Sequence, residues 1–518
     1  MSPSVGNHPL RCVSMITSRR DGGSLVALAV AGLLVLAGCG GGQGAAPAPP
    51  AGTPAAAAAP IGDPGLARRL AEQVTGDAAF ARMEELQRIA DANGGNRASG
   101  QPGYDASVEY VAGELRRAGF TVETPSFPFD TFAVDAETLV VGGTPGPAVT
   151  ALTYSPATAA GGVTAPLVVA PDAPGDPTPG CEAGDYANLP ARGAVVLVRR
   201  GSCTFTQKQQ VAADVGAAAV LVGNNAPGPL GGTLGSVAEG RLPTGGLLQA
   251  DFDALLPRAG TPATLTLATR AATVVTRNVI AQTTTGRPDE VVMSGAHLDS
   301  VPEGPGINDN GSGSSAQLEL AMRLGGAPPV TNAVRFAWWG AEEVGLLGST
   351  AYVRGLTPEA RRDIAVLLNS DMLGSPNPAY LVYDGDDSDR QGAPPGPGGS
   401  DGIERTLAAA LSATGAQPRG TDFDGRSDYG PFIEAGIPAG GLFTGAEELK
   451  TPEEAALWGG QAGVAYDRCY HQACDTTANI DRVALDRMLD TLAVGVGTYA
   501  TDLGGPNGVP TREQRQTR

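Results

Sequence analysis

A regular alternation of short apolar runs with helical stretches, beginning near residue 277, constrains the fold of this chain more than any other feature. The apolar runs cover residues 279–282, 290–294, 333–339 and 364–369, and helical patterns start after residue 311 and near residues 344–354. Apolar strands that alternate with helices are typical of a largely parallel sheet with helices on both faces. Such sheets place functional groups just beyond the carboxyl ends of their strands. We therefore predict an α/β fold with a mostly parallel central sheet and a site at that edge.

The preceding part of the chain has a different character and indicates a second domain. Residues 64–118 carry apolar side chains at spacings of three and four, which predicts helices. From residue 120 to about 272, short β-rich runs are broken by Gly and Pro, with strands at 194–198 and 217–222 around a helix at 206–215. Because 518 residues exceed the size of one ordinary domain, we predict two domains with tails at both ends.

The N-terminal segment has the pattern of an export signal. Arg19 and Arg20 form a short positive region, residues 24–36 form an apolar core too short to span a bilayer, and Leu36-Ala37-Gly38-Cys39 follows. This segment resembles a bacterial lipoprotein signal with its lipobox. The resemblance implies cleavage of residues 1–38 and a lipid on the sulfur of Cys39, which would anchor an extracytoplasmic protein to the cell membrane. An ordinary cleaved signal peptide is the alternative.

Both tails lack the apolar side chains that a core requires. Residues 39–62 are almost wholly Gly, Ala and Pro, a composition that cannot offset the entropy of ordering and that predicts a flexible linker. Residues 504–518 are rich in Gly, Pro and Gln and are predicted to be disordered.

The charge of the chain argues against one class of partner. The formal net charge is -19, whereas nucleic-acid binding requires clustered Lys and Arg that displace phosphate counterions. We therefore expect no nucleic-acid partner. An acidic surface keeps an exported protein soluble and attracts substrates that carry a free amine.

Beyond Cys39 the sequence has four cysteines, Cys181, Cys203, Cys469 and Cys474. They allow three pairings, and an oxidising location makes disulfides the default. We favour the two local pairs, Cys181–Cys203 and Cys469–Cys474.

Histidine and carboxylate residues follow the ends of the predicted strands. His297 lies directly after the second predicted strand, and Asp299 is near enough in sequence to accept its second ring proton and fix the tautomer. Glu342 and Glu343 follow the third strand, and Asp371 follows the fourth. Adjacent carboxylates repel each other, so Glu342 beside Glu343 requires a cation or a raised pKa. A dinuclear metal centre would supply that cation.

Together these motifs resemble the M28 family of zinc aminopeptidases. The resemblance rests on His297-x-Asp299, Asp309-Asn310, Glu342-Glu343, Ser370-Asp371-Met372 and the later Tyr470-His471. It implies a peptidase domain in two segments, residues 63–135 and 273–503.

The resemblance also implies the ligands of two zinc ions. His297 and Asp371 would bind one ion, Glu343 and His471 would bind the other, and Asp309 would bridge them. Nitrogen and carboxylate ligands suit zinc, and open positions would leave room for water and substrate.

Catalytic and pocket residues are implied in the same way. Glu342 is the expected general base, and Tyr470 is expected to hydrogen-bond the oxyanion of the tetrahedral intermediate. Met372, Arg426 and Phe443 match family segments that border the substrate pocket. An apolar wall of Met372 and Phe443 would favour Leu-like side chains.

A calcium ion is a further expectation. Asp486 and Asp490 lie one helical turn apart and could share a calcium ion, as in some relatives. A solvated helix face is the alternative.

The β-rich region carries a motif of its own. The run Arg200-Gly201-Ser202-Cys203-Thr204-Phe205 with Lys208 resembles the protease-associated (PA) domain, a small module often inserted into peptidases. The resemblance places a PA domain at residues 136–272 and implies a lid or a substrate-selecting role. A plain structural insertion is the alternative.

These resemblances imply an extracytoplasmic, lipid-anchored zinc aminopeptidase that removes large apolar residues from peptides with a free N-terminus. One alternative is a carboxypeptidase of the same superfamily, for which Arg426 is the only charged candidate to bind a terminal carboxylate. Another is a catalytically inactive peptide-binding lipoprotein, which the presence of all five ligands and Glu342 disfavours.

Overall fold

A computed structural model describes residues 63, 65–171, 177–390 and 392–515. The predicted signal peptide, the predicted lipidation site Cys39 and the predicted linker lie outside the described residues. Every described residue belongs to one unit, Ala58–Arg518. Among the helices of this described part, none is both long enough and apolar enough to cross a membrane.

The described residues form twelve α-helices. The α-helices of the described residues are α1 (Leu66–Gln73), α2 (Gly76–Ala92), α3 (Pro102–Arg117), α4 (Phe205–Asp214), α5 (Gln249–Leu255), α6 (Gly311–Leu324), α7 (Leu347–Gly355), α8 (Pro358–Asp363), α9 (Ser400–Ala413), α10 (Gly430–Glu434), α11 (Pro452–Trp458) and α12 (Arg482–Thr501). The helical pattern predicted for residues 64–118 corresponds to α1–α3. The helix predicted near residues 344–354 starts only at Leu347, because Leu346 has a left-handed backbone with φ of 58°.

Strands form two sheets. They are β1 (Thr121–Glu123), β2 (Ser126–Val141), β3 (Thr144–Pro145), β4 (Thr150–Ala151), β5 (Val163–Val169), β6 (Val195–Arg199), β7 (Ala219–Gly223), β8 (Thr244–Leu247), β9 (Pro262–Arg277), β10 (Val279–Gln282), β11 (Arg287–His297), β12 (Asn332–Trp339), β13 (Ile364–Ser370), β14 (Leu381–Tyr383), β15 (Arg419–Thr421) and β16 (Ala439–Phe443).

The central sheet has eight strands in the order β1-β10-β12-β11-β13-β16-β14-β15. Its middle strands β12, β11, β13 and β16 are parallel to one another. On the two flanks, β10 and β14 join this block in the antiparallel sense. The prediction of a mostly parallel central sheet is confirmed.

Two adjacent tryptophans show that helices cover both faces of this sheet. Successive side chains of a strand point to opposite faces, so Trp338 and Trp339 enter different cores. Trp338 belongs to the cluster formed with α1, α2, α3, α6 and α12, and Trp339 belongs to the cluster formed with α7 and α10. Both side chains are fully buried.

A second eight-stranded sheet, in the order β3-β2-β9-β5-β6-β7-β8-β4, forms the inserted domain. The strands β5, β6, β7 and β8 are parallel, and α4 and α5 follow β6 and β8 in the chain. A disulfide joins Cys181 to Cys203 in this domain, as the sequence predicts.

The inserted domain is joined to the central domain by two long antiparallel strands. β2 pairs with β9 from Ser126 opposite Arg277 to Val141 opposite Ala263. The boundaries expected at residues 135/136 and 272/273 therefore lie inside continuous strands. Near the start of β2, Phe127 and Phe129 pack against Ala341, which directly precedes Glu342.

The C-terminal segment corrects one expectation. Residues 504–515, predicted to be disordered, pack against the central domain. The Arg515 side chain is buried and pairs with Glu290 of β11, and Arg512 pairs with Asp363 of α8. The composition predicted side chains exposed to solvent, but Arg512 and Arg515 form ion pairs with carboxylates of the central domain, which hold the segment against it.

Candidate metal centre

Three parallel strands deliver the first group of polar side chains to one edge of the central sheet. His297 is the last residue of β11 and lies opposite Trp339, the last residue of β12. Glu342 and Glu343 follow β12, and Asp371 follows β13 directly. Because the carboxyl ends of parallel strands share an edge, these side chains converge as the sequence predicts.

Asp309 reaches the same place from the turn before α6. The next residue, Asn310, caps this helix by accepting a hydrogen bond from the Gly313 amide. Its side-chain amide also donates to the carbonyl of Ser370 at 2.9 Å. Asn310 thus caps the helix and also binds the turn to the end of β13. In this position the Asp309 carboxylate lies against His297.

His471 comes from a distant loop that is closed by the disulfide Cys469–Cys474. The carboxylate of Asp475, just after this disulfide, accepts hydrogen bonds from the amides of Asn308 and Asp309 at 2.8 and 3.0 Å. These two hydrogen bonds hold the His471 loop against the Asp309 turn.

The disulfides Cys181–Cys203 and Cys469–Cys474 are both present, so both predicted pairings are confirmed.

The donor atoms lie at distances expected of ligands that share an ion. Nε2 of His297 is 3.1 Å from Oδ1 of Asp309 and 3.3 Å from Oδ1 of Asp371. Nε2 of His471 is 3.1 Å from Oδ2 of Asp309 and 3.0 Å from Oε2 of Glu343. Ligands bound at about 2.0–2.2 Å to a tetrahedral ion lie roughly 3.3–3.6 Å apart, so both sets are close to such a geometry.

Unsatisfied atoms test whether a metal fits these residues. Oε1 of Glu343 and Oδ1 of Asp371 are buried and accept no hydrogen bond from any residue that the structure describes. A buried carboxylate oxygen without a partner is costly, and a cation would satisfy it. Imidazole nitrogen and carboxylate oxygen are ligands that zinc prefers, so the residues present fit a zinc centre.

The carboxylates of the centre create a strongly negative environment. Burial opposes charge on His297, but the carboxylates of Glu342 and Asp371 outweigh it and raise the pKa of His297 well above its ordinary value. Burial and the charge of Asp309 raise the pKa of Glu343 to about 8. Burial also raises the pKa of Glu342. All three shifts have the same direction, so the centre favours added positive charge.

A cavity of about 210 Å³ opens beside this centre. Its lining includes all five predicted ligands, and also Glu342, Tyr470, Met372, Arg426 and Phe443. The Tyr470 ring stacks on the His471 ring with centroids 3.9 Å apart. The structure thus brings every predicted catalytic, ligand and pocket residue together at one cavity.

Comparison with known proteins decides the family. The model of peptidase family M28 matches residues 278–496, and the model of the PA domain matches residues 163–255. Over 450 residues the chain is 51% identical to a Mycobacterium tuberculosis protein named "Probable lipoprotein aminopeptidase LpqL", with 86% of this chain and 89% of the relative covered. The chain belongs to peptidase family M28.

Other similar proteins are named as aminopeptidases. An aminopeptidase of Pseudomonas aeruginosa is 46% identical over 427 residues, which cover 80% of this chain and 78% of the relative. Among solved structures, an aminopeptidase from Aneurinibacillus sp. strain AM-1 matches with a TM-score of 0.58 and 26% identity, covering 83% of this chain and 95% of that one. A zinc aminopeptidase from Bacillus subtilis matches with a TM-score of 0.52 and 27% identity, covering 82% and 94%.

Asp299 was expected to accept the second ring proton of His297 through its carboxylate, but its backbone carbonyl lies nearer to that ring nitrogen. Nδ1 of His297 lies 3.2 Å from the backbone carbonyl oxygen of Asp299 and 3.6 Å from its carboxylate. The nearer acceptor of the second ring proton is therefore the carbonyl. The Asp299 carboxylate instead accepts a hydrogen bond from the Glu342 amide at 3.3 Å, which links the β11 and β12 loops.

Two supporting residues of this M28 site were missed by sequence reasoning. Ser427 donates a hydrogen bond to Oδ2 of Asp371 at 2.6 Å and accepts one from the Asn369 side chain at 2.9 Å. Arg97, fully buried, donates to the carbonyls of Leu298, Pro305 and Gly306, which belong to the loop before Asp309. Ser427 directly follows Arg426, which the resemblance assigned to a segment bordering the pocket, but nothing in the sequence linked Arg97 to this loop.

The expected calcium ligands, Asp486 and Asp490, do not line the cavity beside the M28 centre. Asp486 accepts a hydrogen bond from the Gly76 amide at 2.6 Å. Burial and the charge of Asp486 raise the pKa of Asp490 to about 6. Among the described residues, this pair belongs to no cluster of three possible metal ligands, and the calcium site stays a prediction.

Proposed function

We propose that this M28 peptidase is an extracytoplasmic, lipid-anchored aminopeptidase with two zinc ions. The observation that carries the proposal is the position of Asp309, whose two oxygens lie 3.1 Å from the ring nitrogens of His297 and His471. A carboxylate placed in this way between two histidines is suited to bridge a pair of ions. The lipid anchor rests on the lipobox at Cys39 and on the likeness to a relative named as a lipoprotein.

The five ligands divide into two sets around this bridge. His297 and Asp371 would hold one zinc ion, Glu343 and His471 would hold the other, and Asp309 would be shared. When bound, two such ions acidify a water molecule and polarise the scissile carbonyl. Ser427 keeps the second oxygen of Asp371 engaged, so that one oxygen stays available to the centre.

Glu342 would transfer the proton of the attacking water to the leaving amine. Its Oε2 lies 3.9 Å from Nε2 of His297, farther than the predicted ligands, and its side chain lines the cavity. A carboxylate in this position takes a proton from the attacking water and hands it to the leaving amine. The bond between Asp299 and the Glu342 amide orients this loop.

Tyr470 would stabilise the intermediate. Its ring stacks on His471, which places the phenol beside the same cavity, and burial raises its pKa. The hydroxyl therefore stays protonated and can donate a hydrogen bond to the oxyanion. A donor of this kind contributes about 2.7–4 kcal/mol where it has been measured.

The charges of the cavity favour an amine over a carboxylate at the substrate terminus. Arg426, the only candidate we identified for binding a terminal carboxylate, pairs with Glu447 at 3.1 Å and with Glu448 at 3.6 Å. Apart from Arg426 and the two histidines, the charged residues that line the cavity are carboxylates, which would attract a free amine instead. Met372 and Phe443 supply an apolar wall for a large side chain such as that of leucine.

Release of p-nitroaniline from Leu-p-nitroanilide tests the proposal. The purified protein without residues 1–39 should be active, should lose activity with a zinc chelator, and should regain it when zinc is added back. N-acetyl-Leu-p-nitroanilide is the matched control and should not be cleaved. Rapid cleavage of the blocked substrate would contradict an aminopeptidase, and cleavage only at a free C-terminus would favour the carboxypeptidase.

A further inference from the structure

The two ligand sets of the proposed zinc centre are supported in different ways. His297 ends β11 and Asp371 directly follows β13, so the ligands of one ion, called here the first ion, are set by strands of the central sheet. The other ion, called the second ion, is assigned to Glu343 and His471. His471 lies on a loop, has a left-handed backbone with φ of 57°, and has a side chain that is 40% exposed. The position of the second ion therefore depends on what holds this loop.

Asp467 is a buried carboxylate at the start of the His471 loop, with only 1% of the residue exposed. Its Oδ1 accepts a hydrogen bond at 2.7 Å from the amide of Cys469, two residues before His471. Its Oδ2 accepts one at 2.7 Å from Nδ2 of Asn308, one residue before Asp309. A single carboxylate thus holds together the two segments that carry His471 and Asp309.

Neutral groups supply the hydrogen bonds to Asp467. Besides Asn308 and Cys469, Nδ2 of Asn479 donates to both of its oxygens, at 2.9 and 3.0 Å. Within the part of the chain that the structure describes, Asp467 forms no ion pair with Arg, Lys or His. Directional hydrogen bonds, rather than a countercharge, therefore fix the position of this carboxylate.

Asn308 extends this hold to the loop after Asp371. Its side chain is fully buried, and its Oδ1 accepts a hydrogen bond from the Gly374 amide at 3.1 Å. Its Nδ2 donates to Oγ of Ser375 at 3.2 Å as well as to Asp467. Both N–H donors and the oxygen of the amide are thus engaged, so the side chain fits in one orientation only.

We propose that Asp467 is a positioning residue for the second zinc ion. This inference rests on the proposed two-zinc centre. Asp467 acts through the Asn308 side chain and the Cys469 amide, which fix the place of His471 against Asp309, where the ring nitrogen lies 3.1 Å from the carboxylate. Groups that orient metal ligands in this way typically contribute about 10–100-fold to metal affinity.

The substitution Asp467→Asn tests this role, because it keeps the shape of the side chain and breaks no ion pair. Whichever way the new amide is turned, its NH2 group faces a donor, either the Cys469 amide or the Asn308 side chain. Affinity for the second ion should fall about 10–100-fold, and affinity for the first ion should fall less, as measured by chelator competition and native mass spectrometry. Two ions bound as tightly as in the unmodified enzyme, or an equal loss of both, would overturn the proposal.

The matched control is Asp384→Asn. Asp384 is also buried, and its two oxygens accept hydrogen bonds from the amides of Ser388 and Asp389. The control therefore meets the same mismatch of donors, but in a loop that carries no predicted ligand. It should bind both zinc ions as the unmodified enzyme does. If it lost the second ion as readily as Asp467→Asn, the effect would be one of general stability and the proposal would be wrong.

A rescue variant separates positioning from packing. Adding Asn308→Asp to Asp467→Asn exchanges donor and acceptor across the contact, so the hydrogen bond can form in the opposite sense. The double variant should bind the second ion more tightly than Asp467→Asn alone, and binding that is no tighter would overturn the proposal. If Asp467→Asn does not fold, Asn308→Ala takes its place, because it removes only one donor. It should weaken the second ion more than the first, and equal affinities would count against Asp467.

Failure of this inference and failure of the proposed function give different results. Two bound zinc ions without release of leucine from Leu-p-nitroanilide would overturn the aminopeptidase function, while the zinc affinities would still decide the role of Asp467. An unmodified enzyme that binds only one zinc ion would overturn the two-zinc centre and this inference with it.

Discussion

Replacement of Glu342 by Gln separates proton transfer from metal binding. The change removes the proton-accepting charge and keeps the side-chain volume. Oε2 of Glu342 lies 3.9 Å from Nε2 of His297, whereas the contacts among the predicted ligands measure 3.0–3.3 Å. The variant should therefore keep both zinc ions, because it removes no ligand.

The expected loss of rate follows from the surroundings of Glu342. General acid–base catalysis by one side chain contributes about 10²–10⁴ in rate, which is about 2.7–5.4 kcal/mol. The Glu342 side chain is only 11% exposed, so bulk water has little access to replace it as a proton acceptor. We therefore expect kcat to fall about 10³–10⁴-fold with little change in KM.

The neighbouring residue provides the matched control. Glu343→Gln makes the same chemical change one position along the chain, but it removes an oxygen that lies 3.0 Å from Nε2 of His471. This variant should lose zinc as well as activity. The assay combines zinc content by mass spectrometry with steady-state hydrolysis of Leu-p-nitroanilide.

Two results would refute the reasoning. If Glu342→Gln kept activity within tenfold of the unmodified enzyme, Glu342 would not be the base. If it lost zinc as readily as Glu343→Gln, Glu342 would be a ligand, and the division of roles between the two glutamates would be wrong.

Three further predictions concern the frame around the centre. Arg97→Met leaves the carbonyls of Leu298, Pro305 and Gly306 without their buried donor and should lower the free energy of unfolding by about 3 kcal/mol, measured by urea denaturation; a loss below about 1 kcal/mol would contradict this. In the metal-free enzyme, burial opposes charge on His471, but hydrogen bonds to Asp309 and Glu343 raise its pKa to about 10. The stability contributed by this proton is therefore complete below the ordinary pKa of about 6.5 and should be lost as pH rises through about 10. Melting temperatures of the chelated enzyme and of His471→Asn test this, and parallel pH profiles would speak against it. Replacing Cys469 and Cys474 by Ala frees the His471 loop and should weaken zinc binding by up to about 2 kcal/mol, measured by competition with a chelator; an unchanged affinity would show that the two Asp475 hydrogen bonds suffice.

The strands that lead to the inserted PA domain begin beside the site. Phe127 and Phe129, near the start of β2, pack against Ala341, next to Glu342. The amide of Ala341 also donates a hydrogen bond to the Ser99 hydroxyl at 2.7 Å. The loop that carries the proposed base is thus held between the central domain and the strands that lead to the insertion.

The sequence by itself determined the elements and the edge at which the site is built. Period-two and period-3.6 patterns reflect local backbone geometry, so the strands that end near His297, Glu342 and Asp371 could be located without the fold. Because the carboxyl ends of parallel strands share one edge, these residues had to converge. The turn at Asp309 was likewise local, because Asn310 caps the helix that follows it.

The resemblance implied that His471 is a ligand, but only the tertiary structure decided how His471 and other distant residues reach the site. His471 meets Asp309 through the Asp475 hydrogen bonds, Ser427 meets Asp371 from another loop, and Arg97 reaches Leu298 from the connection between α2 and α3. Contacts between residues so far apart in the chain depend on how whole elements pack, and no local pattern of residues encodes them.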